Sequence, residues 1–204
     1  MSGILESARS VLAIPTLYRL WNFIARGDAE AKFVEEYVRP TAGDRVLDIG
    51  CGPGDIVPYL PDVHYVGFDE SESYIRRAQA RYSDRATFIC ERVRSHTLKE
   101  QASFDIVLAV GVLHHLDDNE ALKLFELAWA ALKPGGRLVT YDGCFVPDQS
   151  YLARFFISRD RGQHVRTREE YLNLASSVFA QVDVSIRHDI MRIPYTIIIL
   201  RSQR

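Results

Sequence analysis

Apolar residues in this chain recur at two different spacings, and the switch between them marks its organisation. Ile4, Leu5, Ala8, Val11 and Leu12 share one helical face up to Pro15, and Leu17, Leu20, Trp21 and Ile24 repeat that spacing in a second short helix. Gly27 and Asp28 open a third helix, with Ala31, Val34 and Val38 inward, which stops before Pro40. Beyond Gly43-Asp44, short apolar runs alternate with helical stretches. Arg45 to Ile49, Val63 to Phe68, Thr87 to Cys90, Phe104 to Val110 and Arg137 to Tyr141 read as strands, the fourth apolar enough to be central. Between them a short helix reaches Leu60, and another follows Ser71 with Ile75, Ala78 and Tyr82 inward. Asp117 and Glu120 form a capping box ahead of a helix lined by Ala121, Leu124, Phe125, Ala128 and Leu132, which Pro134-Gly135-Gly136 closes. Thr167 and Glu170 form a second box ahead of Tyr171, Leu174, Ala175 and Val178. Gln181 to Arg187 and Tyr195 to Arg201 are the last strands.

This order predicts an α/β fold: a doubly wound, mostly parallel seven-stranded sheet of Rossmann-like type, with a C-terminal antiparallel strand and N-terminal helices. We expect one domain over residues 1–204, made of a helical cap (1–40), a cofactor-binding half (41–145) and a lid with the last strands (146–204). Such a sheet binds its ligand at the carboxyl ends of the strands, near the topological switch.

Composition narrows the class. A chain 47% hydrophobic and 25% charged is that of a soluble globular protein. Its net charge of -2 offers no basic face for a nucleic-acid backbone. Cys51, Cys90 and Cys144 stand far apart, so neither a metal site nor a disulfide framework is expected. Met1 to Pro15 has no basic start, and Glu6 and Arg9 interrupt its apolar residues, so no signal peptide is expected. No apolar run approaches the ~20 residues of a membrane span. The expectation is a cytoplasmic protein without stable membrane insertion.

The most informative stretch is Val46-Leu47-Asp48-Ile49-Gly50-Cys51-Gly52-Pro53-Gly54, a strand feeding a glycine turn. Glycine lets backbone approach a ligand closely, although a plain tight turn also uses it. The spacing is one residue shorter than the dinucleotide fingerprint. Asp48, two residues before Gly50, would repel a pyrophosphate but suits a ligand bearing an ammonium and a sulfonium. Asp69 ends the second strand about 20 residues past the loop, where an acid commonly accepts hydrogen bonds from ribose hydroxyls; a solvated strand end is its alternative.

VLDIGCGPG, GFDES, FDIVLAVGVLHHL and LKPGGRLV, in that order, resemble the motifs of the class I S-adenosylmethionine-dependent methyltransferases. The similarity runs from about Val46 to Asp142. It implies S-adenosylmethionine as cofactor and a small-molecule acceptor methylated on oxygen, nitrogen or carbon. By this resemblance Gly50, Cys51 and Gly52, with Asp48 behind them, would hold the methionine end, Asp69 the ribose, and Glu70 would lie near adenine. Ala109 or Val110 would offer a carbonyl to the amino group, and His115 would pack near the methionine portion. The chain departs after the third strand, where family members often carry an aspartate for the adenine amino group and this sequence has Arg92, then Val93. Arginine cannot accept a hydrogen bond, so adenine is expected to be held differently here, by Glu91 or by the backbone at Val93.

Methyl transfer needs alignment, dryness and sometimes a base. His114, His115 and Asp142 follow the fourth and fifth strands, and His114 and Asp142 are the candidate catalytic pair; structural roles are the alternative. With Tyr18, Trp21 and Tyr195 they are also candidate acceptor contacts, although core roles suit Tyr195, and the N-terminal helices could instead rest on a membrane surface. Tyr151 to Arg168 reads as an irregular, arginine-rich segment: an anion-recognising cover or a solvated loop. A nicotinamide-dependent oxidoreductase and a non-catalytic S-adenosylmethionine-binding protein remain as alternatives. Asp48 and the shortened loop weigh against the first.

Overall fold

The structure is a computed structural model that describes residues 28–93, 102–159 and 162–204. The two predicted helices before Gly27, with Tyr18 and Trp21, lie outside the described residues. The chain enters through α1 (Ala29–Phe33), which runs on into one wider turn, Val34–Val38, and stops where Arg39 turns left-handed at φ 48°. Ala29, Phe33, Val34 and Val38 are the buried residues here, and Ala31 is only half-buried.

Five parallel strands follow: β1 (Arg45–Ile49), β2 (His64–Asp69), β3 (Ala86–Cys90), β4 (Phe104–Val110) and β5 (Leu132–Phe145). Their helices are α2 (Glu72–Tyr82), capped by the Ser71 hydroxyl, and α3 (Asp118–Ala131), capped by the Asp117 carboxylate. Then come α4 (Tyr151–Ser158), the two-residue β6 (Arg166–Thr167) beside β5, α5 (Arg168–Ser176), β7 (Gln181–Arg187) and β8 (Ile197–Gln203). The main sheet path is β3-β2-β1-β4-β5-β8-β7, and β8 runs antiparallel to both neighbours. The chain thus winds outward from β1 to β3 and restarts at β4, which puts the switch between β1 and β4.

Both faces of the central strands are buried. Leu47, Ile49, Val107 and Ala109 point into the core beneath α3 and α5, whereas Val46, Ile106 and Leu108 point into the core beneath α1 and α2. That explains why β1 and β4 read as continuous apolar runs rather than alternating ones.

Several predicted details change. The helix expected before Leu60 is a single 3-10 turn, Val57–Tyr59. The Asp117–Glu120 box is half formed: Asp117 accepts from Glu120 N, but the Glu120 carboxylate turns to Arg92. The Thr167–Glu170 box forms in full. β5 starts at Leu132 and continues past Tyr141, because β8 pairs with it as far as Gly143↔Ile197. Asp142 therefore sits inside β5 and not beyond it. The segment expected to be irregular begins as the helix α4, capped by Ser150. Among the described residues, no helix is long and apolar enough to cross a membrane.

Candidate active site

The carboxyl ends of β1, β2, β4 and β5 gather the predicted site residues. β1 runs into Gly50, Cys51 and Gly52, with Gly50 at φ 75° and Gly52 at φ 54°. At Gly50 space also matters, because a Cβ would lie 2.6 Å from Val112 Cγ2, so the loop touches the segment after β4. Asp69 ties the loop to the next element: Oδ2 accepts from Gly52 N at 2.9 Å and Oδ1 from Ser71 N at 2.8 Å. One carboxylate thereby orients the glycine loop and the start of α2, a job the sequence did not reveal.

Asp48 is 2% exposed. Its Oδ2 accepts a 2.6 Å hydrogen bond from the Tyr65 hydroxyl, while Oδ1 is buried with no hydrogen-bond partner among the described residues. Burial pushes its pKa up to about 7; the Tyr65 hydrogen bond opposes this and Asp69 adds to it. A buried acceptor left without a donor costs stability, so Oδ1 fits a cationic donor supplied by a ligand. Tyr65 was missed from sequence. Its signal is a tyrosine within a buried strand, whose hydroxyl must find a partner. Replacing Tyr65 with phenylalanine is expected to raise the Asp48 pKa above about 7, readable as an upward shift in the carboxyl titration by NMR.

At the β3 end, Arg92 is half-exposed and bridges two acids, donating to Glu70 Oε2 and to Glu120 Oε1, each at 3.1 Å. These ion pairs raise the arginine pKa. Arg92 thus joins Glu70, just after Asp69, to the first turn of α3. Val93 packs against the core beneath α3.

After β4, Gly111 N donates to Tyr141 O, and the chain turns through a 3-10 segment, Leu113–His115. Ala109 is fully buried in the core, and Val110 is half-buried at the strand end. His114 Nδ1 lies 2.8 Å from Asp142 Oδ1, which also accepts from His114 N at 3.2 Å. Asp142 is 1% exposed, and its Oδ2 is buried without a partner among the described residues. Burial raises the Asp142 pKa, and the hydrogen bonds from His114 oppose the rise. The His115 ring leans on His114 with centroids 4.1 Å apart.

Tyr195 is not brought to this pair. It packs against Gly143 in the core beneath α1, on the face of β5 opposite the Asp142 side chain. Arg166, expected in an anion-recognising cover or a solvated loop, is buried and bound to protein carbonyls and Asp118. Among the described residues no His, Cys, Asp and Glu cluster fits a metal ion.

The methyltransferase-domain family matches residues 46–136. A 27-O-demethylrifamycin SV methyltransferase from Amycolatopsis mediterranei is 38% identical over 120 residues, 54% of this chain and 43% of that protein. Phosphoethanolamine N-methyltransferase 1 of Arabidopsis thaliana is 34% identical over 61% of this chain and 26% of that protein. Residues 46–136 thus belong to the methyltransferase-domain family, in line with the resemblance of the motifs to the class I S-adenosylmethionine-dependent methyltransferases. The chain spans less than half the length of these two curated relatives. In fold it is similar to an S-adenosylmethionine-dependent methyltransferase from Methanosarcina mazei (TM-score 0.63, 19% identity, 84% of this chain and 96% of that one). It is likewise similar to geranyl diphosphate C-methyltransferase from Streptomyces coelicolor, solved with S-adenosyl-L-homocysteine (TM-score 0.64, 17% identity, 86% and 80%).

In a methyltransferase of this class the donor set fits the cofactor. Asp48 Oδ1 lacks a partner among the described residues, the loop is free of side chains at Gly50 and Gly52, and Asp69 keeps acceptor capacity beyond its two backbone bonds.

Proposed function

We propose that this protein is a cytoplasmic enzyme that moves a methyl group from S-adenosylmethionine to an oxygen, nitrogen or carbon of a small molecule, not of a nucleic acid, with His114 as general base. The buried pair of His114, in the turn after β4, and Asp142, within β5, carries this reading. S-adenosylmethionine supplies an electrophilic methyl group on a positively charged sulfur.

In this reading Asp48 receives the cofactor's ammonium, and Asp69 the ribose hydroxyls while it keeps the loop in place. Gly50, Cys51 and Gly52 present backbone to the methionine end, with His115 alongside. Arg92, fixed by Glu70 and Glu120, closes the adenine end, where its planar guanidinium can stack on the base and needs no acceptor. Val93 completes that end, and Ala109 or Val110 offers a backbone carbonyl to the cofactor's amino group. Asp142 holds Nδ1–H of His114, which selects the tautomer whose Nε2 can take a proton from the acceptor. A base of this kind favours acceptors that must lose a proton on methylation, such as hydroxyls and ammonium groups.

Calorimetric titration tests the cofactor half. S-adenosylmethionine and S-adenosylhomocysteine are expected to bind and NAD is not. Binding of NAD alone would restore the oxidoreductase reading. Binding without turnover across an acceptor panel would favour a non-catalytic carrier.

A further inference from the structure

The segment Gly162–Arg166 lies against the turn that carries His114. His164 N donates to His114 O at 3.0 Å. Arg166, 5% exposed, spreads its guanidinium over three carbonyls: Leu113 O at 2.9 Å, Leu116 O at 2.7 Å and His164 O at 3.1 Å, with Asp118 beyond. A single 3-10 turn leaves terminal carbonyls without internal donors, and the arginine fork supplies them. The third contact is Gly162. A Cβ there would lie 2.1 Å from His114 Cδ2 and 2.6 Å from His114 O. Both distances are far inside van der Waals contact, and a backbone carbonyl cannot swing aside as a flexible side chain can.

The ring is bounded on its other sides as well. Asp142 Oδ1 stands at Nδ1, the His115 ring lies tilted against it at 42°, and a Cβ on Gly111 would lie 3.7 Å from Cε1. Cδ2 and Cε1 are the two carbons flanking Nε2, so a bare glycine faces each shoulder of that nitrogen.

We propose that Gly162 is a positioning residue for His114: the Gly162–Arg166 strap closes on the imidazole edge beside Nε2 and seats the ring on Asp142, and it can do so only with no side chain at 162. The catalytic consequence rests on His114 acting as base, whereas the seating of the ring does not. A ring displaced by about an ångström loses its bond to Asp142 and its alignment with an acceptor.

The test is NMR on the full chain with nitrogen-15-labelled histidine, combined with steady-state kinetics. In the native chain the His114 Nδ1 proton should resonate downfield and exchange slowly with water. Gly162→Ala should abolish that resonance and lower kcat about tenfold or more without changing cofactor KM. Arg166→Lys keeps the charge but not the fork, adds no clash, and should speed exchange of the same proton; it decides the matter if the alanine variant does not fold. A native resonance and native kcat in Gly162→Ala, or native exchange in Arg166→Lys, overturns the proposal. His114→Gln with undiminished turnover would defeat the base reading alone and leave the strap to be judged by the resonance.

Discussion

Replacing His114 with alanine is expected to lower turnover by about 10²–10⁴-fold while the affinity for S-adenosylmethionine stays unchanged. The magnitude is that of a general base, not of a binding contact. Asp69 accepts from Gly52 N and Asp48 from Tyr65, whereas His114 is paired with Asp142, so in the proposed reading its loss should not reach the cofactor. Asp142→Asn should act in the same direction, since an amide can present N–H to Nδ1 and favour the wrong tautomer. Single-turnover measurements with saturating cofactor, together with calorimetry on each variant, separate the two effects. Retained turnover in His114→Ala would mean that alignment alone drives the transfer. Weakened cofactor binding would mean that the turn after β4 supports the cofactor loop.

Asp48→Asn is expected to weaken S-adenosylmethionine binding by about 10- to 100-fold, the equivalent of losing one charge-assisted hydrogen bond of ~1.5–3 kcal/mol. It should also remove a pH dependence. Because burial raises the Asp48 pKa to about 7, the carboxyl gains its proton as pH falls below that value. A cationic ligand binds the ionised form, so affinity should fall with decreasing pH, by about tenfold per unit at most, and binding near pH 6 should release a proton. The sign for stability is opposite. The unfolded carboxyl ionises near 3.8 and the folded one near 7, so this group's contribution to the ligand-free fold is fullest below pH 3.8 and is lost as pH climbs to about 7. The neutral amide of the Asp48→Asn variant leaves no charge to bury, so that variant, free of ligand, should unfold no earlier than the native chain at about pH 8. Calorimetry at several pH values in buffers of different ionisation heat measures both the affinity and the proton. A native pH profile in Asp48→Asn would remove Asp48 from the ammonium site.

These expectations rest on residues that differ in how openly the chain displays them. β1, β4 and the buried side of α3 are legible because local spacing and burial agree: a run such as Phe104 to Val110 has only one way to hide its side chains. The caps at Ser71 and Thr167 are legible because capping is settled within one helical turn. Glu120 misleads for the opposite reason. Its partner Arg92 is 28 residues away, and a charged partner there outcompetes the local N–H that a capping box would offer. Arg166 misleads likewise, since an arginine-rich stretch looks like a solvated or anion-binding segment until its fork is found filling the carbonyls of another turn.

The chain by itself determined the α/β class, the final strand pair, the glycine loop between two acids, and the place of His114 just past the fourth strand. All of these follow from side-chain periodicity and from the fact that strands and tight turns are short-range structures. Only the tertiary structure decided that Asp48 is paired with Tyr65 and otherwise buried, that Asp69 orients the loop, that Arg92 spans Glu70 and Glu120, and that Tyr195 lies across the sheet from Asp142. Each of those depends on which strands become neighbours and how deeply they are covered. Burial, not identity, moves a carboxyl pKa from 3.8 to about 7, and a glycine becomes indispensable only when a distant ring comes to rest where its Cβ would have been.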